Sequence, residues 1–86
     1  MKYQIFIDKK VETFIKRQSQ TQALRLRNAI EALAENPRPQ GCKKLKGHDD
    51  AYRIRVGDVR ILYTVNDDVV TVYVFKAGYR GDVYKD

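Results

Sequence analysis

Tyr52-Arg53-Ile54-Arg55-Val56-Gly57-Asp58-Val59-Arg60-Ile61-Leu62-Tyr63 decides how this chain folds. Apolar and polar residues alternate from Tyr52 to Val56, the period of a half-buried β-strand. Gly57-Asp58 then supplies a two-residue turn, with glycine first as a type II′ hairpin prefers. The return strand runs from Val59 to Val65. This turn fixes the register: Val56 faces Val59, Arg55 faces Arg60, Ile54 faces Ile61 and Tyr52 faces Tyr63. Arg55 and Arg60 are thereby set against each other on one face, with Arg53 two residues along. Like charges directly across a strand pair are destabilising. An anion such as a phosphate seated among them would remove that cost. The plainer alternative is an alternating strand that shows arginine to water on its outer face.

Upstream, residues 3–7 read as a short strand. Asp8 is placed to cap a short helix that carries Val11, Phe14 and Ile15 on one side. Ser19-Gln20-Thr21-Gln22 fits a capping box. It opens a second helix with the stripe Ala23, Leu26, Ile30, Leu33 and Ala34. Asn36-Pro37-Arg38-Pro39 ends that helix, because proline disfavours helical geometry in the residue before it. Downstream, Asn66-Asp67-Asp68 forms a turn, and Val69 to Phe75 a third strand of the meander. Gly78 and Gly81 are expected to loosen the chain before Val83-Tyr84. The result is an α+β fold: an N-terminal strand, a helical hairpin, then an antiparallel meander of three to four strands with both helices on one sheet face. Residues 1–86 form a single domain.

The chain has 86 residues, 17 Lys+Arg against 11 Asp+Glu, and a net charge of +6. So positive a field on so small a domain favours an anionic partner. From Arg38 to Arg60 seven cations (Arg38, Lys43, Lys44, Lys46, Arg53, Arg55, Arg60) face three acids, which places four of the six net charges in that segment. Lys43, Lys44 and Lys46 are candidates to follow a phosphate backbone. They read equally well as guards of a solvated edge strand. No stretch approaches the roughly 18 apolar residues of a membrane span. The single Cys42 forms no internal disulfide, and the expected compartment is cytoplasmic.

The end of the chain, Gly78-Tyr79-Arg80-Gly81-Asp82-Val83-Tyr84, adds an arginine and two tyrosines. A tyrosine close to guanidinium groups has its ionised form favoured, as a general base requires. An arginine stabilises charge that builds on a phosphate during displacement. Tyr84 alone reads as readily as a ring packed on the sheet. No metal or cofactor is expected. His48 is the only histidine, no Cys/His cluster exists for zinc, and no phosphate-binding glycine loop occurs.

Lys44-Leu45-Lys46-Gly47, the segment from Tyr52 to Tyr63, Gly78-Tyr79-Arg80 and Val83-Tyr84 together resemble the RelE/ParE superfamily of bacterial and archaeal toxins, over essentially the whole chain. The resemblance implies a RelE-like microbial RNase fold. It also implies a toxin of a type II toxin–antitoxin system that cuts mRNA in the ribosomal A site, by attack of the RNA's own 2′-hydroxyl without a metal. By position it implies that Arg53, Arg55 and Arg60 hold the scissile phosphate, and that Arg80 stabilises charge or protonates the leaving group. Tyr84 matches the general base, and Lys44 and Lys46 match RNA-contacting positions. Many relatives carry histidine or another basic residue where this chain has Tyr79, so Tyr79 becomes an RNA-binding residue and a second candidate for the base. The implied partners are a cognate antitoxin, the ribosome and mRNA. The other readings are a ParE-like inhibitor of DNA gyrase and a non-catalytic basic module that grips nucleic acid.

Overall fold

The computed structural model describes residues 2–79. Strand β1 (Gln4–Ile7) leads into helix α1 (Lys9–Lys16) and helix α2 (Gln20–Ala32). Four strands follow: β2 (Lys43–Lys44), β3 (Ala51–Val56), β4 (Val59–Asn66) and β5 (Thr71–Tyr79). They form one sheet in the order β1-β5-β4-β3-β2. The meander β2 to β5 is antiparallel, as the alternation predicts. β1 returns to the far edge and lies parallel to β5, with Phe6 opposite Tyr73.

Both helices begin where their caps predict. The Asp8 carboxylate accepts the Lys10 N–H, and the Ser19 hydroxyl accepts that of Gln22. Each replaces a bond that the first helical turn lacks. Only this half of the expected capping box forms, because the Gln22 side chain turns to accept from Arg25 Nη1 at 3.2 Å. Val11 and Ile15 of α1 join Leu26 and Ile30 of α2, and Leu33 at its C-terminal cap, in one cluster over the sheet. From the sheet come Ile54, Val59, Ile61, Tyr63, Val65, Val72 and Val74, all buried in the same cluster. An ion pair at 3.0 Å between Glu12 and Arg27 ties the two helices across the rim of this core.

The hairpin register is the one the sequence dictates: Val56↔Val59, Arg55↔Arg60, Ile54↔Ile61 and Tyr52↔Tyr63. Gly57 has φ +61° and Asp58 stays at negative φ, which fits a type II′ turn. Two features differ from expectation. β5 begins later than Val69 and runs on through Gly78 to Tyr79, so Gly78 is a strand residue and does not loosen the chain there. β5 also carries one extra residue. Leu62 pairs with Lys76 but Tyr63 pairs with Val74, leaving Phe75 without a counterpart, a β-bulge. In the β4–β5 turn, Val70 sits at φ +51°, a strained conformation for a β-branched residue. Its carbonyl accepts the Gln4 N–H at 2.9 Å, which fastens the start of β1.

Candidate nucleic-acid interface

Because side chains alternate along a strand, one sheet face takes the core residues and the other takes their neighbours. Tyr52, Ile54 and Val56 face the helices, so Arg53 and Arg55 face away. Arg60, opposite Arg55, faces away as well. Register extends this outer face across the sheet. Lys43 lies opposite Arg53, Leu62 opposite Arg53 on the other side, and Lys76 opposite Leu62. Five cations from four strands therefore share one surface: Lys43, Arg53, Arg55, Arg60 and Lys76. The three arginines are not equivalent. Arg55 is exposed, Arg53 is half-buried, and Arg60 is only 4% exposed. A guanidinium held so deep sits where water screens little, and its field on a neighbouring anion is correspondingly stronger.

Of the other candidates, Lys44 lies opposite Tyr52 on the two-residue edge strand, and Lys46 is in the turn after it. Both are exposed. The lysine-guarded edge strand is thus present, and Lys43 also reaches the arginine face. Arg80 and Tyr84 lie outside the described residues.

Tyr79 is not brought to the arginines. It lies opposite Val59, on the helix side of the sheet. Its hydroxyl donates to Gln18 Oε1 at 2.5 Å, and its ring meets Phe14 edge-on with centroids 5.6 Å apart. The bulge is the reason. Strict alternation from Val72 and Val74 inward would turn Tyr79 outward, and the extra residue reverses it. The same reversal turns Lys76 outward, a cation of this face that sequence alternation alone does not reveal.

Arg38, one of the seven cations of the basic segment, is taken up elsewhere. Its guanidinium forks onto Asp67, with Nη2 at 2.8 Å from Oδ2 and Nη1 at 3.3 Å from Oδ1. Its Nε donates to the Tyr52 hydroxyl at 3.0 Å. These bonds, that to Asp67 first, raise the Arg38 pKa above its ordinary value. They hold the Asp67 carboxyl below its own, with help from the Tyr3 hydroxyl. Beneath them Tyr63 stacks on Tyr52 and donates to the Pro37 carbonyl at 2.7 Å. Burial pushes the Tyr63 phenol upward, so it stays protonated as that donor. This cluster is a clamp between the 37–39 loop and the sheet.

The chain is thus a small α+β protein, a five-stranded sheet with two helices on one face and an arginine-rich opposite face. The chain matches the model of the ParE toxin of type II toxin–antitoxin systems (parDE) over residues 7–84 and belongs to that family. Within it the chain is RelE-like. RelE1 of Methanocaldococcus jannaschii, a toxin by name, is 33% identical over all of this chain and 99% of its own length. The archaeal RelE–RelB complex from Pyrococcus horikoshii has the same fold, with TM-score 0.83 and 29% identity, over 94% of this chain and 98% of that one. The isolated RelE toxin of E. coli gives a TM-score of 0.77 at 28% identity, over 95% of this chain and 90% of its own.

Proposed function

We propose that this toxin is a ribosome-dependent endoribonuclease that cleaves mRNA in the A site. The observation that carries the reading is the opposition of Arg55 and Arg60, with Arg53 beside them, on the sheet face the helices leave open. Such a cluster gathers fixed positive charge on one surface, which a phosphate meets with charge-assisted hydrogen bonds. In the proposed reaction the RNA 2′-oxygen attacks the adjacent phosphorus and the bond to the 5′-oxygen breaks. The products are a 2′,3′-cyclic phosphate and a 5′-hydroxyl. Arg53 and Arg55 keep their charge at any working pH, so they act as clamps and not as proton carriers. Arg60 adds a fixed charge from below. Tyr84, as its phenolate, takes the 2′-hydroxyl proton, and Arg80 stabilises the charge on the leaving 5′-oxygen, which takes its proton from solvent. No step in this scheme draws on a metal or cofactor. Lys43, Lys44 and Lys46 follow the RNA backbone along the β2 edge.

The toxin works against its own cell unless it is held, and the solved relatives from P. horikoshii and M. jannaschii are RelE–RelB complexes. We therefore assign this chain a cognate antitoxin that covers the basic face.

The test is cleavage of mRNA on programmed ribosomes by the native protein, Arg55→Ala, Arg80→Ala and Tyr84→Phe. Native A-site cleavage that all three reduce strongly supports the reading. Survival under Tyr84→Phe moves the base elsewhere. The family description, a ParE toxin, favours a second reading as a DNA gyrase inhibitor. Absence of cleavage together with inhibited supercoiling by gyrase would establish that one instead.

A further inference from the structure

The outer face does not end at the arginines. Further along the same face, Phe6 of β1 and Tyr73 of β5 are register partners, and both side chains turn away from the helices. Phe6 is 49% exposed and Tyr73 39%. Two large aromatic rings side by side in water add little to the fold, whose core lies on the other face. Tyr73 is also held in place. Its hydroxyl donates to Asp8 Oδ2 at 2.7 Å, and Asp8 is fixed in turn as the cap of α1. A tethered ring loses little further freedom when a ligand stacks on it. The tether also engages the carboxylate, whose charge is shared between the Tyr73 hydroxyl and the Lys10 N–H.

The spacing relates this pair to the cation face. Tyr73 lies opposite Thr64 on β4, four residues from Arg60. Strand geometry makes that about 13 Å along β4, and crossing to Phe6 adds about 5 Å per strand. Leu62 and Lys76 lie between. A single RNA strand whose phosphate rests at Arg55 and Arg60 would bring a base to the aromatic pair a few nucleotides away. Bases stack on aromatic rings whatever their identity, and guanidiniums beside such rings hold the backbone.

We propose that Phe6 and Tyr73 form a base-stacking platform for single-stranded RNA, a second binding element on the face that carries the arginines. The proposal rests on the reading of that face as an RNA site. It adds a contact that supplies affinity with little dependence on salt, alongside phosphate contacts that depend on it strongly.

The experiment uses the full chain and a single-stranded oligoribonucleotide that carries 5-iodouridine, with 2′-O-methyl groups throughout to prevent cleavage. Irradiation followed by peptide mapping is expected to cross-link the RNA to Phe6 or Tyr73. Phe6→Leu and Tyr73→Leu should each weaken binding about fivefold or more. Tyr73→Phe keeps the ring and should bind within about twofold of the native protein. Thermal melting of each variant verifies its fold. Arg55→Ala should weaken binding and flatten its salt dependence while cross-linking at the platform persists. Leucine variants that bind RNA as the native protein does, or cross-links that map only elsewhere, overturn the platform and leave the nuclease reading standing. If the leucine variants bind RNA normally but lose a protein encoded beside this toxin, the pair is a protein-docking patch and the proposal fails. Cross-linking at the platform by a protein that never cleaves mRNA on ribosomes supports the platform and removes the nuclease.

Discussion

Arg38 and Arg55 are the same residue type put to opposite uses. Arg38 is neutralised by Asp67, onto which it forks, and is bonded to Tyr52 as well, with its guanidinium 5.2 Å from the Tyr52 ring centre. Arg55 is exposed and faces Arg60, another cation. The first arrangement holds a loop to the sheet and has little attraction left for a ligand. The second leaves the exposed Arg55 guanidinium toward solvent, where its field can reach a ligand. Net charge alone does not separate these roles; what separates them is whether a carboxylate comes back to meet the guanidinium.

That contrast can be tested from both sides. The largest effect is expected from Arg55→Ala. Cleavage on programmed ribosomes should fall about 100-fold, the usual loss when a preorganised charge leaves a reacting centre. The unfolding free energy should move by no more than about 0.5 kcal/mol, as for surface changes away from core features. A variant that unfolds instead would make Arg55 a structural residue like Arg38. On the clamp side, Tyr63→Phe should reverse the pattern. It leaves the Pro37 carbonyl without its buried donor, and denaturant unfolding should lose about 1–3 kcal/mol. The cleavage rate of the folded fraction should not change.

A smaller change is expected at Val70. Valine at φ +51° is strained, and asparagine tolerates that region. Val70→Asn should raise stability by up to about 1 kcal/mol in a thermal melt. A loss would mean that the valine's packing outweighs its backbone strain. Smallest of all is the acid response. Asp67 and Asp8 have folded pKa values below their ordinary ones, through Arg38 and Tyr73 respectively. A depressed carboxyl contributes stability above its unfolded pKa, near 4, and loses it as pH falls through the folded value. The stability curve should therefore slope down below about pH 4, and Asp67→Asn should flatten that slope. An unchanged slope would show that the Arg38–Asp67 fork adds nothing in solution.

Much of this was legible in the chain because its signals are local. Asp8 and Ser19 act within one helical turn. Gly57-Asp58 fixes a register that carries Arg53, Arg55 and Arg60 to one face. Features that depend on distant pairings were not legible. The parallel lodging of β1 against β5 joins residues far apart in sequence, and no alternation pattern names that partner. The Arg38 clamp closes on Asp67 only once the β4–β5 turn is in place. For the site, the arginine trio was legible, and Lys76 and the outward aromatic pair were not. The resemblance assigns Tyr79 to RNA from the position it shares with a basic residue of relatives, whereas its side is set by the pleat.

The bulge at Phe75 works as a frameshift in a two-letter code. Upstream of it odd-numbered residues of β5 read outward, and downstream even-numbered ones do. Pairing Phe75 into the ladder, with no residue removed, would restore a single reading frame and hand Tyr79 to the cation face with no substitution anywhere. Two homologous toxins can therefore share a C-terminal motif letter for letter and present opposite halves of it to RNA. Aligning such chains by spacing is safe only after the unpaired residue has been counted.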